Sequence, residues 1–215
     1  MNNHRPFLII AFVLLVTAAG SALLLRSNDS SHRSDDGPVA TNTNQSSETK
    51  TVTLEEFGDY QCPACAQLHP TLKKLKQEYG EKLSFIFRNL PLTAVHKNAM
   101  LAAQAAEAAR MQNHFWEMHD LLYERQERWK DDINPRPIFV KFAEELGLNT
   151  WEFSRNLNDK QVQMRIEADM DSATEKGING TPTILINGRQ LRAETTTPEG
   201  VRQGIELMFA GKARN

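Results

Sequence analysis

Apolar and polar positions divide this chain into three regimes. From Pro6 to Leu25 the text PFLIIAFVLLVTAAGSALLL carries no charge between Arg5 and Arg26. Twenty helical residues rise about 30 Å, enough to cross a bilayer core. From Ser27 to Lys50 the chain reads SNDSSHRSDDGPVATNTNQSSETK, with almost nothing to bury and so no means of offsetting its ordering entropy. Globular patterning begins near residue 51.

The first regime has two readings. Ala18, Ala19 and Gly20 supply small residues of the kind a signal peptidase accepts. The apolar run resumes through Leu23, Leu24 and Leu25, however, and outlasts a normal signal-peptide core. An uncleaved N-terminal anchor over 1–26 is therefore expected, followed by a disordered linker over 27–50. Lysine and arginine counts on its two sides do not decide its orientation.

In the third regime, TVTLEEF (51–57) is β-branched and apolar and stops at Gly58-Asp59, which predicts a strand. Cys65, Leu68, Leu72, Leu75 and Tyr79 then recur at three- and four-residue steps, predicting a helix over 63–79 closed by Gly80 and kinked at Pro70. KLSFIFRNL (82–90) predicts a second strand. From about 93 to 176 the rhythm is helical, with an alanine-rich segment, a Phe139/Phe142/Leu146 face and a last helix bearing Val162, Ile166 and Met170. TPTILING (181–188) predicts a third strand, Asn187-Gly188 a hairpin turn, RQLRA its return strand and Pro198 the start of a final helix. The order is strand, helix, strand, helical block, strand, strand, helix. The helical block contains no internal repeat.

Composition adds limits. The chain has 215 residues, 40% hydrophobic and 24% charged, and a formal net charge of -2. One globular domain over 51–215 fits these values. No basic excess exists to neutralise a phosphate backbone, so a nucleic-acid partner is not expected.

The two cysteines, Cys62 and Cys65, stand in YQCPACAQLHPTL where the first strand gives way to the helix. Haem attachment requires His directly after the second cysteine, and Ala66 is there. A structural zinc site requires about four ligands, and only His69 lies within helical reach of the pair. A disulfide closing so short a loop removes little unfolded-state entropy. Redox chemistry leads. A helix beginning just after Cys62 offers free N–H groups and a positive dipole end to its thiolate, making Cys62 the expected nucleophile. Cys65, one turn on and facing inward, is the expected resolving thiol. Pro63 suits the first helical turn, where its missing N–H has no partner to lose.

These residues resemble the DsbA-like thiol:disulfide oxidoreductases of the thioredoxin superfamily, including membrane-tethered bacterial members. The resemblance covers about 51–212 and rests on LEEFGDYQCPACAQLHPTL, on FRNLPL with NAMLAAQAAEAA and FWEMHDLLY, and on GINGTPTILING. It implies an α/β class, a thioredoxin fold with a helical domain inserted at about 93–176, here preceded by an N-terminal transmembrane helix. It implies that Pro182 is a cis-proline facing the disulfide and that Thr181 offers its backbone to an extended substrate. Pro63 and Ala64, between the cysteines, are expected at the substrate surface. Glu56 matches the family's buried acid, which exchanges a proton with Cys65, although adjacent Glu55 competes for the role. The chain departs from the best-known members in lacking an imidazole at Ala64, which puts very strong oxidising power in doubt.

The other candidates read as scaffold. His69 is a helix-face histidine, His96 a local cap, and His114 and His119 are five residues apart, which misses metal-pair spacing. Met100, Met111, Met118, Met170, Phe115, Trp116 and Trp129 read first as core.

The resulting expectation is a monomeric enzyme, without cofactor or metal beyond the Cys62/Cys65 disulfide, that introduces disulfides into reduced exported proteins on the extracytoplasmic side of the cell membrane. A membrane redox partner would recycle it. The alternatives are a reductase or isomerase on the same scaffold, or a non-catalytic tethered chaperone.

Overall fold

The computed structural model describes residues 51–211, so the expected anchor over 1–26 and the linker over 27–50 lie outside the described residues. Among the described residues no helix is long and apolar enough to cross a membrane.

Four strands form one sheet in the order β2-β1-β3-β4. β1 (Val52–Gly58) runs parallel to β2 (Leu83–Asn89), with Val52 opposite Leu83 and Gly58 opposite Asn89. β3 (Thr183–Ile186) is antiparallel to β1, pairing Leu54 with Ile186 and Phe57 with Thr183. β4 is only Arg189–Gln190, shorter than RQLRA, because the chain leaves the sheet for a 3₁₀ turn at Ala193–Thr195. Asn187 and Gly188 both have positive φ, 49° and 75°, the geometry a two-residue hairpin turn requires.

The parallel β1–β2 pair needs a crossover, supplied by helix α1 (Pro63–Tyr79), which runs unbroken through Pro70. Between β2 and β3 stand α2 (Ala99–Arg110), α3 (Phe115–Glu124), α4 (Arg136–Glu145), α5 (Thr150–Asn156) and α6 (Lys160–Glu175). This is the thioredoxin-like α/β arrangement with a helical insertion. Two details depart from the periodicity. Residues 93–98 form turns because the Asp59 carboxylate gathers the Leu92 N–H and the His96 ring into a loop. The short α5 had no distinct periodic signal; its Asn149 side chain caps it by accepting from the Glu152 N–H. Helix α7 (Pro198–Phe209) closes the fold, capped by Thr197.

The pleat sorts the core. Val52, Leu54, Ile184 and Ile186 point to the face covered by Leu68, Leu72 and Leu75 of α1 and by Val201 and Ile205 of α7. Phe57 and Leu185 point to the opposite face, against Ala173 of α6. A third cluster fills the insertion around Trp129, Phe139, Phe142 and Met118, and it reaches Tyr60, Cys62 and Cys65. The cysteine pair therefore sits where the insertion core meets the head of α1.

Candidate active site

Cys62 is the N-cap residue of α1, and its extended backbone turns the chain from β1 into the helix. Its N–H donates to the Asp59 carbonyl at 3.0 Å, while its own carbonyl accepts from the Ala66 N–H at 3.2 Å. Pro63 and Ala64 are exposed at the tip, Cys62 is nearly covered, and Cys65 is fully buried. Both thiols are free.

The two sulfurs differ in acidity for physical reasons. The Cys62 pKa falls to about 5, chiefly because the Cys65 thiol hydrogen-bonds to it. The Thr181 side chain and the Cys65 and Ala64 N–H groups add to this against the opposing cost of burial. Burial pushes the Cys65 thiol well up, and its hydrogen bond to Cys62 together with the negative charges of Glu56 and Cys62 pushes it further. One sulfur is a thiolate at neutral pH and its neighbour is a thiol.

Glu56 lies beneath the pair because it shares the β1 face of Val52 and Leu54, under α1. Burial, and then the charge of Cys62, raises its pKa to about 8, and its Oε1 has no hydrogen-bond partner. Glu55, one residue earlier, points to the other face and pairs with Arg88 at 2.8 Å. The strand pleat thus separates the two acids.

Thr181 and Pro182 come from the turn before β3. The Thr181–Pro182 peptide bond is cis, and the Thr181 carbonyl oxygen lies 3.5 Å from Cys62 Sγ. Cys62, Cys65, Thr181 and Glu56 are therefore gathered at one point from three elements, with Pro63 and Ala64 at its exposed lip.

Three polar residues that local sequence reasoning passed over hold this point in shape. Asp59, fully buried, accepts from the N–H groups of Gln61 and Leu92 and bonds the His96 ring, all within 2.9 Å. Gln126 Nε2 donates to the carbonyls of Tyr60 at 2.7 Å and Cys62 at 3.1 Å. Gln61 accepts from the Asn98 N–H and donates to the Lys130 carbonyl, tying the active loop to the insertion. Asp59 stands three residues before Cys62, a spacing from which its role as a turn acceptor was readable. Gln126 gave no such signal. His96 bonds a buried carboxylate, and Trp129 is core with its indole N–H donating to the Leu122 carbonyl.

A family model described as Thioredoxin matches residues 46–206. The oxidised BdbD of Bacillus subtilis superposes with a TM-score of 0.66 at 24% identity, covering 76% of this chain and 90% of that one. Wolbachia pipientis alpha-DsbA1 superposes with a TM-score of 0.64 at 19% identity, covering 75% and 87%. Among curated proteins, the Na(+)/H(+) antiporter NhaA 3 of Salinispora tropica is 41% identical over 139 residues, which is 65% of this chain and 20% of that protein. The Na(+)/H(+) antiporter NhaA 1 of Salinispora arenicola is 38% identical over 160 residues, 74% of this chain and 24% of that protein. The chain thus spans about a fifth to a quarter of the curated relatives it matches.

Proposed function

This chain belongs to the thioredoxin family, and from that premise we propose that it is a thiol:disulfide oxidoreductase donating the Cys62–Cys65 disulfide to reduced exported proteins. The observation that carries the reading is the split between the two thiols, Cys62 acidic at about 5 and Cys65 held protonated by burial.

In the forward direction a substrate thiolate attacks Cys62 Sγ, the Cys62–Cys65 bond breaks, and the electron pair leaves on Cys65. Glu56, protonated at neutral pH, returns a proton to that buried sulfur. The substrate's second thiolate then attacks its own sulfur in the mixed disulfide, and Cys62 departs as a stabilised thiolate. Two substrate thiols are oxidised and the enzyme disulfide is reduced. A leaving thiol of low pKa departs faster, and a stabilised reduced form makes its disulfide a stronger oxidant. Thr181, on the lip beside Cys62, is suited to receive an extended substrate backbone next to Pro63 and Ala64.

The apolar run Pro6–Leu25 supports a tethered enzyme whose catalytic domain acts on the extracytoplasmic side, as a monomer recycled by a membrane redox partner. The antiport named for the curated relatives belongs to proteins of which the matched region is a fifth to a quarter.

The test is the redox equilibrium of the purified chain against defined glutathione mixtures. A potential at or above about -200 mV supports disulfide donation, whereas one near about -270 mV assigns the same scaffold to reduction. Full protection of unfolded clients by a Cys62→Ser/Cys65→Ser chain, with no thiol exchange by the parent, would instead assign a chaperone.

A further inference from the structure

Behind the redox helix lies a second cluster that the thiol chemistry does not use. His69 follows Cys65 by one turn on α1, and His119 and Asp120 are adjacent on α3. One ligand atom from each of the three lies within 4.8 Å of the other two. They line a cavity of about 270 Å³ with Lys73, Lys76 and Trp116. We propose that His69, His119 and Asp120 form a binding site for a borderline divalent cation of the zinc class, one turn along α1 from Cys65.

The donor atoms are assigned by what their neighbours leave free. His119 Nδ1 is engaged with the Tyr60 hydroxyl at 3.0 Å, so its Nε2 is the nitrogen left for a ligand. A hydrogen bond to the far nitrogen of a liganding histidine fixes both tautomer and ring orientation. His69 is 3% exposed, and its Nε2 has no hydrogen-bond partner although Asp120 Oδ1 stands 3.4 Å away. At a zinc–ligand distance of about 2.0–2.1 Å, tetrahedral ligand atoms stand roughly 3.4 Å apart. Two of the three atoms already hold that edge, and the third lies within 4.8 Å of both.

Asp120 is divided in the same sense. Its Oδ2 accepts from Lys73 at 2.8 Å, which leaves Oδ1 directed to His69. Glu124 takes a share of the Lys73 charge at 2.7 Å. Lys76 is a second cation lining the cavity, and its ammonium lies over the Trp116 ring at 3.5 Å. Imidazole with one carboxylate suits zinc-class ions better than calcium or magnesium, which take oxygen ligands. The partly exposed Asp120 side chain gives an ion its way in.

The experiment titrates Zn²⁺ onto the full-length chain carrying Cys62→Ser and Cys65→Ser, which removes thiolate ligation. Calorimetry and the imidazole ¹⁵N resonances are read together. The expected result is one strong equivalent of zinc that shifts the His69 and His119 ring nitrogens together, with affinity reduced at least tenfold by Asp120→Asn and by His69→Gln. Zinc that leaves both rings unmoved, or that binds both variants as tightly as the parent, overturns the site. Neither outcome bears on the thiol reaction, which this background lacks.

Discussion

Gln126 Nε2 donates to the backbone carbonyl of Cys62 at 3.1 Å across 64 residues of sequence, so the insertion directly braces the turn that presents the nucleophile. The same amide holds the Tyr60 carbonyl at 2.7 Å. Gln126→Ala leaves two carbonyls facing a buried void, and the expected loss is about 1–3 kcal/mol. Urea unfolding of the reduced variant beside the parent checks it.

Cys62 should titrate with a midpoint near pH 5, read as thiolate absorbance at 240 nm. The linkage has a definite sign. A folded pKa lowered from 9 to about 5 contributes stability that is complete above about pH 9 and is lost as pH falls through 5. The stability advantage of the reduced chain over Cys62→Ala therefore shrinks across that window, and denaturant curves at pH 5, 7 and 9 measure it.

The order of the two sulfurs predicts a trapped intermediate. Cys65→Ser removes the resolving thiol, so a substrate disulfide attacked by Cys62 stays attached as a mixed disulfide visible on a non-reducing gel. Cys62→Ser forms no such adduct and loses thiol exchange altogether. Adducts formed equally by both variants would contradict the assignment of Cys62 as nucleophile.

Glu56 carries the opposite sign from Cys62. Its folded pKa is raised from 4.5 to about 8, so its share of stability is complete below about pH 4.5 and is lost as pH rises through 8. Glu56→Gln cannot ionise. The reduced variant should gain on the parent as pH rises from 4.5 to 8, by at most about 1.4 kcal/mol per pH unit. Its thiol exchange should be slower at pH 7, where the parent carboxyl still holds its proton, and a pH–rate profile compares the two.

Gly58 tests how closely the strand end approaches the insertion. A Cβ there would meet the Phe87 ring and stand 2.9 Å from the Tyr123 hydroxyl. Gly58→Ala is expected to destabilise by about 1–3 kcal/mol through overpacking, checked by thermal unfolding. Ala at Gly80, which has no neighbour within 4 Å, meets only the cost of its positive φ.

The order of strands and helices was legible because each element carries a local signal: a β-branched, apolar run ended by Gly58-Asp59, a period of about 3.6 along the face of Cys65, Leu68, Leu72 and Leu75, and a hairpin at Asn187-Gly188. The cysteine spacing was equally local, and so was the start of α1 at Pro63. What the period did not contain was the choice between neighbours. Glu55 and Glu56 are the same residue type in adjacent positions, and only the packing of α1 on one face of β1 buries Glu56 beneath the thiols while Glu55 meets Arg88. Asp59, Gln126 and Asn98 likewise act through partners 32 to 66 residues distant, several of them loop carbonyls that any sequence possesses. His69 and His119 read as separate packing residues until α1 and α3 brought their rings to 5.2 Å. Local patterning determines elements because backbone geometry repeats over a few residues. A site depends on long-range contacts and on the exclusion of water, and these exist only once the chain has folded.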